Sequence, residues 1–325
     1  LFQIKIISII NWRPDMNRNE LRNVFKGVVG VTITPYDDDY EVDYGKMYDL
    51  TQWWVENGMV RGKAMLKVAS VMGEFPQLRD DEWPPLIRTV VQAAKGKIDI
   101  IAGSHYKDTK RTIEDSLRAQ DLGAIALQIA PPAFNDPNQD DILRFYSDLS
   151  DAIEIGVMVY NTPWQRHGAI NADTLHKMAD FEHIVAIKWA NHDDCQPAEM
   201  PALSKKFNMI ENGNDRVGFH KAGGDGFLDK SSIAYPPHEL KMWELLEANQ
   251  YDEAQNLWDT IDAPIQALAQ KAGKVSGGQA RFKKMLMNAM GHGVGEQRLP
   301  TLPASESEMN ELKSLLSSLG WPVPS

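Results

Sequence analysis

The sequence predicts a parallel (β/α)8 TIM barrel followed by a C-terminal helical extension, and three observations lead there. Short apolar runs alternate with longer amphipathic segments from Phe25 onward. The apolar runs are continuous and rich in β-branched residues, as strands buried on both faces require. About eight such units fit within roughly 200 residues, which suits closure into a barrel. An open doubly wound sheet would share the alternation, but no Gly-x-Gly-x-x-Gly follows the first strand and the glycines are scattered.

Each element can be placed in turn. Gly27-Val28-Val29-Gly30-Val31-Thr32-Ile33-Thr34 reads as the first buried strand; after the Asp37-Asp38-Asp39 turn, Tyr44 to Asn57 has helical character and Gly58 caps it. The second strand is predicted over Ala64 to Ser70 and the next helix over Glu82 to Ala94. Ile98 to Ala102 gives a third strand, followed by a helix from Thr109 to Leu122 that Gly123 stops. Ile125 to Ala130, Gly156 to Tyr160, Ile184 to Ile187 and Asn208 to Ile210 continue the series, with Gly226-Phe227-Leu228 as the eighth strand. From Pro237 the strands cease, and four helical segments (239–249, 252–271, 281–290 and 306–319) are more than the barrel alone needs. The expected organisation is a leader over 1–24, a barrel over 25–236 and a helical extension over 237–325.

The composition, 43% hydrophobic and 24% charged over 325 residues, is that of a globular chain able to bury a large core. A net charge of −11 argues against nucleic-acid binding, which depends on neutralising phosphates with Lys and Arg. The single cysteine, Cys195, precludes an intramolecular disulfide and fits a reducing compartment; beside Asp193 and Asp194 it reads as an unreactive loop residue. Leu1 to Ile10 is apolar with one lysine, but it lacks a basic n-region and a cleavage site. It reads as a disordered leader, as residues foreign to the natural protein, or as a strand laid over the barrel, with Met16 as a candidate start. No apolar run approaches the ~20 residues of a membrane span. His176 and His183 are not spaced as metal ligands, and no carboxylate-rich cluster accompanies them.

The sharpest local feature is His183-Ile184-Val185-Ala186-Ile187-Lys188. A lysine at the C-terminal end of an apolar strand sits where barrel enzymes place reactive groups, and desolvation there favours the free amine that attacks a carbonyl. Snorkelling out of the strand end, or pairing with a carboxylate, is the alternative. Val157-Met158-Val159-Tyr160 ends the preceding strand in a tyrosine. Consecutive barrel strands are neighbours, so Tyr160 can reach the same mouth and move protons there; alone it would equally suit a core or rim position.

A set of motifs then runs in order along nearly the whole chain. It comprises Gly30-Val31-Thr32-Ile33-Thr34-Pro35-Tyr36, Gly73-Glu74-Phe75-Pro76-Gln77-Leu78, Ile101-Ala102-Gly103, Tyr160-Asn161-Thr162-Pro163, Ile184-Val185-Ala186-Ile187-Lys188, Asn212-Gly213-Asn214-Asp215 and Leu299-Pro300-Thr301-Leu302-Pro303. This set resembles the dihydrodipicolinate synthase / N-acetylneuraminate lyase family of class I, Schiff-base aldolases. The resemblance implies Lys188 as the Schiff-base lysine, Tyr160 as general acid/base, and Ser70, Val71 and Met72 as the loop that holds a substrate carboxylate. It further implies a 2-keto acid substrate such as pyruvate, no metal or organic cofactor, and a cytoplasmic homotetramer.

The chain departs from that pattern where the family's loop carries hydroxyls, because Val71 and Met72 stand there. A second tyrosine of the synthases is also missing from Pro131-Pro132-Ala133-Phe134-Asn135. Both departures point away from the lysine-pathway synthase, toward another aldolase or dehydratase or a hydratase-aldolase of aromatic pyruvate adducts. A barrel that only binds a keto acid is the non-enzymatic alternative. Around the mouth, His105 and Tyr106 follow strand three, Trp164, Arg166 and His167 follow strand five, Asp215 and Arg216 follow strand seven, and Ser231 and Ser232 follow strand eight. Arg166 and Arg216 are candidates for an anionic tail, Asp215 and the serines for substrate hydroxyls; each is otherwise an ordinary loop residue. Lys67, inside the second strand, is read as pointing outward to an acid, since unpaired charge in a core is costly. Pointing inward, it would be a second amine that opposes the charge on Lys188.

Overall fold

Eight strands pair in chain order, all parallel, and the last closes on the first. They are β1 (Gly27–Val31), β2 (Ala64–Val68), β3 (Asp99–Ser104), β4 (Ala126–Ile129), β5 (Gly156–Tyr160), β6 (Ile184–Lys188), β7 (Asn208–Glu211) and β8 (Gly226–Leu228). This computed structural model describes residues 16–161, 163, 168–189, 191, 193–229 and 233–324. Every strand residue is buried, which is why the strands read as unbroken apolar runs. Val29, Met65, Ile101, Ala126, Met158 and Leu228 fill the barrel, while Val28, Leu66, Ile100, Leu127, Val159 and Phe227 meet the surrounding helices.

Thirteen α-helices occur among the described residues: α1 (Arg18–Val24), α2 (Tyr44–Glu56), α3 (Trp83–Ala94), α4 (Thr109–Asp121), α5 (Gln139–Ala152), α6 (Ala172–Met178), α7 (Met200–Leu203), α8 (Arg216–Lys221), α9 (Pro236–Glu247), α10 (Tyr251–Leu257), α11 (Ala263–Gly273), α12 (Gly278–Ala289) and α13 (Glu306–Ser318). A turn of π-helix over Trp258–Asp262 joins α10 to α11. None of them is long and apolar enough to cross a membrane.

Two elements differ from the sequence reading. Residues 18–24, assigned to a leader, form α1 and close the bottom of the barrel. Asn17 and Glu20 make a capping box, and Leu21, Val24 and Phe25 join the interior cluster. A Cβ added at Gly156 would meet Phe25 and Leu21, which shows how closely this floor approaches β5. The helix α9, assigned to the extension, packs against the first and last strands: its Trp243 lies 6.2 Å from the Phe227 ring. A closed barrel needs a helix to cover its seam, and α9 supplies it.

Three ion pairs anchor α12. Arg281, buried, donates to the carbonyls of Leu302 and Pro303 and makes two 2.9 Å bonds to Glu308, the capping-box residue of α13. Lys283 meets Asp229 at 2.9 Å, and Lys284 meets Glu74 at 3.2 Å, with all four side chains buried. Burial pushes the Glu74 carboxyl up to about 7 against the pull of Lys284, and pushes the Lys284 ammonium down to about 8 against that of Glu74. Such a pair gives little net stability, but it leaves a costly charge when one member is removed.

The hydrogen bonds from Arg281 hold the Glu308 carboxyl down at about 2, below its ordinary 4.5. A depressed carboxylate stabilises fully above its unfolded value and loses that contribution as pH falls toward its folded one. Thermal melts from pH 7 to pH 2 should therefore drop between about pH 4.5 and 2, and Glu308→Gln should flatten that part of the curve. An unchanged pH slope in Glu308→Gln would remove this pair from the stability of the α12–α13 junction.

Candidate active site

Side chains on a barrel strand alternate between interior and helices, and β6 changes phase partway along. Ile184 faces the outer cluster, whereas Val185 and Ala186 both join the interior one. The pairing with β5 shows the cause: Val157 is opposite Ile184 but Met158 is opposite Ala186, a register shift of bulge type. Beyond it Ile187 faces outward, and Lys188 lies in register with Tyr160 at the C-terminal end of the barrel. The Lys188 Nζ sits 3.5 Å from the centre of the Tyr160 ring.

Both residues line a cavity of roughly 600 Å³. Lys67, Gln128, Ser70, Val71 and Met72 form one side of it; Tyr106, Asn212 and Asp229 edge the mouth. The roof comes from the end of the chain, with Gln266 and Gln270 on α11 and Phe282 and Lys283 on α12. Below lies the apolar interior closed by α1, so the cavity has a dry base and a polar layer directly above it.

That polar layer is a connected chain. The Lys67 Nζ donates to the Gln128 Oε1 at 2.8 Å, and the Gln128 Nε2 lies 3.2 Å from the His105 Nε2. Gln128 spends its oxygen on Lys67, so its amide N–H faces the imidazole, whose Nε2 accepts and whose proton resides on Nδ1. Burial, then Lys67 and Lys188, push the imidazole well below 6.5, so it stays neutral. Its ring meets Tyr160 edge-on at 5.6 Å. Burial, with a contribution from Tyr106, raises the Tyr160 phenol well above its ordinary value. At neutral pH this phenol is an acid that holds its proton.

The 69–74 loop is tightly shaped. Ala69 and Glu74 have φ of 52° and 65°, and a Cβ on Gly73 would stand 2.8 Å from the Thr32 carbonyl oxygen, which only glycine avoids. The Ser70 hydroxyl accepts from the Gly73 N–H at 3.3 Å, and its carbonyl accepts from Phe75 at 3.0 Å. Across the mouth the Asp229 carboxylate accepts from Val31 and Ile233 amides as well as from Lys283.

Of the residues predicted from sequence, Lys188, Tyr160, Ser70, Val71, Met72 and Tyr106 converge on this cavity. Lys67 corrects the expectation of an outward lysine: it faces inward, lines the cavity and donates a hydrogen bond to the Gln128 side chain. His105 does not reach the mouth from the rim; it is buried behind Gln128 and Tyr160. Arg216 does not line the cavity. It is buried in a bidentate pair with Glu239, with Asp262 at 3.7 Å and the Phe227 ring 4.2 Å away. Burial opposes its charge, but Glu239 and Asp262 outweigh that and hold the guanidinium ionised. Asp215 caps α8 through the Gly218 N–H and lies in a neighbouring depression of roughly 400 Å³ that, among the described residues, shares Asn212 alone with the main cavity. Arg166 and Ser231, with Trp164, His167 and Ser232, lie outside the described residues. Cys195 is buried, and its thiol is pushed up to about 12 by burial and by Glu199 and Asp194. Sequence reasoning missed Gln128, Asp229 and the whole roof; Asp229, directly after the eighth strand, was findable by the strand-end rule that pointed to Lys188.

An amine and a phenol packed together at the C-terminal mouth of a closed parallel barrel define a lyase of the class I aldolase type. The chain belongs to the dihydrodipicolinate synthetase family, whose profile matches residues 24–319. It is 31% identical over 300 residues to a 4-hydroxy-tetrahydrodipicolinate synthase from Fervidobacterium nodosum, covering 91% of this chain and 99% of that one. The crystal structure of dihydrodipicolinate synthase from Thermotoga maritima superposes with a TM-score of 0.78 at 26% identity, over 91% of this chain and 99% of that one. The chloride-inhibited synthase from Acinetobacter baumannii, crystallised with pyruvate, superposes at 0.81 with 24% identity and the same coverage; at that identity it speaks for the fold.

Removing Arg216 tests its reassignment. Arg216→Met takes the bidentate guanidinium away from buried Glu239 and should cost about 3–5 kcal/mol in denaturant unfolding. Substrate KM in the folded fraction should stay unchanged; a large KM rise at unaltered stability would return Arg216 to the binding site.

Proposed function

We propose that the protein makes or breaks a bond beside the carbonyl of a 2-keto acid, pyruvate or a pyruvate-derived adduct, through an imine on Lys188. The observation that carries this reading is the Lys188 amine stacked on Tyr160 inside a deep cavity with an apolar base. The amine adds to the ketone, and the carbinolamine loses water to give an iminium. The iminium then accepts the electrons of a C–C bond, or of a C–H bond at C3, leaving an enamine. Protonating the enamine, adding it to an aldehyde, or expelling a β-hydroxyl as water yields a cleavage, condensation or dehydration respectively. Tyr160 donates a proton to the carbinolamine oxygen and recovers one from the substrate, consistent with a phenol that holds its proton at neutral pH. We assign the keto acid's carboxylate to the amides of Val71 and Met72 and to the Ser70 hydroxyl, since backbone donors serve regardless of side chain.

We further infer a second substrate different from that of the synthases named above. Val71 and Met72 put no hydroxyl in the loop, and residues 131–135 hold no tyrosine to complete a relay. The roof and mouth offer Gln266, Gln270, Asn212 and Lys283, a set suited to a hydroxylated or anionic tail. Aromatic adducts are the second reading, favoured by Val71, Met72 and Phe282 on the wall. Phe134 does not support it, being 89% exposed and outside the cavity lining. A purely binding barrel has no use for a buried amine against a phenol. The family resemblance and the lone buried Cys195 also lead us to propose a cytoplasmic homo-oligomer, a tetramer by that resemblance.

Borohydride added with pyruvate should leave a pyruvate-sized mass increment on the peptide containing Lys188, and Lys188→Ala should abolish it without changing the melting curve. Folded protein that traps neither pyruvate nor larger 2-keto acids would overturn the imine reading. Once a substrate is in hand, Tyr160→Phe should lower kcat by about 10²–10⁴-fold while trapping still reaches Lys188.

A further inference from the structure

We propose that Glu74 is a positioning residue: its buried ion pair with Lys284 holds the 69–74 loop in the shape that presents the Val71 and Met72 amides to the keto acid's carboxylate. The inference deepens the Schiff-base reading and rests on the assignment of the carboxylate to that loop. Within the loop, Gly73 donates to the Ser70 hydroxyl, Glu74 to the Val71 carbonyl at 3.1 Å and Phe75 to the Ser70 carbonyl. These bonds close a tight turn and leave out the N–H groups of Val71 and Met72, its two central residues. Val71 and Met72 also line a second cavity of roughly 340 Å³, shared with Glu74, Gln77, Gly277 and Gln297. The loop is thus a partition with open space on both sides, and packing from behind does not fix its shape.

Two anchors outside the turn fix it instead. The Thr34 hydroxyl, beyond the end of β1, donates to the Gly73 carbonyl at 2.7 Å. The Glu74 carboxylate meets Lys284 of α12 at 3.2 Å, with both residues 1% exposed. Lys284 is itself a fixed post: its ammonium donates to the Glu296 carbonyl at 2.8 Å and stands 3.9 Å from the centre of the Tyr36 ring. Arg298, a second cation that acts on Glu74, lies on the same ring and is engaged by Glu82 in a bidentate pair. Glu74 holds a left-handed backbone, which costs a non-glycine residue energy and persists where the surroundings impose it. An apolar contact would join loop and helix with less desolvation, but a carboxylate aimed at one ammonium fixes direction as well as distance. A loop held ready binds more tightly, because ordering it at the moment of binding costs free energy.

The test compares a keto acid with a ketone that has no carboxylate. Cyanoborohydride trapping on Lys188, titrated with pyruvate or acetone and read by peptide mass spectrometry, gives a half-saturating concentration and a maximal rate for each. Glu74→Gln should raise the half-saturating pyruvate concentration about 10–100-fold while the maximal rate and the trapping of acetone stay unchanged. Lys284→Met should do the same, and the double variant should cost no more than either single one, as partners in one pair do. The double variant, which removes both charges, also serves if the single ones melt early. Hydrogen exchange should quicken in the peptide covering residues 69–77 but not in β5 or β6. An unchanged pyruvate titration in a folded variant overturns the proposal, as does an equal loss with pyruvate and acetone, the mark of a role in general stability. If the intact protein traps no keto acid, the imine reading falls. Unchanged loop exchange in Glu74→Gln then overturns this proposal too, whereas faster exchange leaves the anchor standing.

Discussion

A strand buried on both faces can show an amine to the barrel interior only at alternate positions, and β6 arrives at the right phase through an irregularity. It begins with Ile184 turned toward the helices, and unbroken alternation would have turned Ala186 and Lys188 the same way. The bulge opposite Val157–Met158 resets the phase by one residue. The contact between Lys188 and Tyr160 follows from that reset, and so does the placement of both within a polar layer with Lys67 and Gln128. The layer is possible because the interior beneath it is apolar and plugged by Leu21 and Phe25.

The electrostatics of the mouth run against those of the whole chain. The protein carries a net charge of −11, yet among the described residues three lysines line the cavity, against one carboxylate, Asp229, already held by a lysine and two amides. Long-range repulsion of an anion by the surface is screened within about 8–10 Å at ordinary ionic strength, whereas the buried groups act unscreened at contact distance. A small anion therefore meets a local environment opposite in sign to the average.

Much of this architecture was legible in the sequence because its signals are local. Parallel strands covered on both sides leave continuous apolar runs, and strand ends locate Lys188 and Tyr160 without further information. Lys67 was misread by weighing the cost of a buried charge above the strand's own alternation; Gln128, a polar residue inside an apolar run, was the sign that the interior could receive it. Arg216 follows the seventh strand as a ligand would, but its direction depends on Glu239 and Asp262, distant in sequence and invisible to a local reading. The helix α1 did leave a trace, the spacing of Asn17 and Glu20 ahead of Leu21 and Val24, which is a capping box before an apolar face. The roof left none, since only tertiary packing lays α11 and α12 over the mouth.

Adjacent lysines on α12 reach opposite sides of that mouth: Lys283 to the end of β8, Lys284 to the loop after β2. The helix is thereby pinned at two points like a crossbar, with Phe282 between the barrel rim and the opening and Gln266 and Gln270 on the helix before it. The strand that carries Lys188 and the helices that roof its cavity thus reside in separate stretches of chain, joined by those two pins. On the function proposed above, substitutions along residues 266–282 alter which molecules are admitted while the strand that presents the amine stays untouched, so new specificities lie a few changes away without any revision of the chemistry.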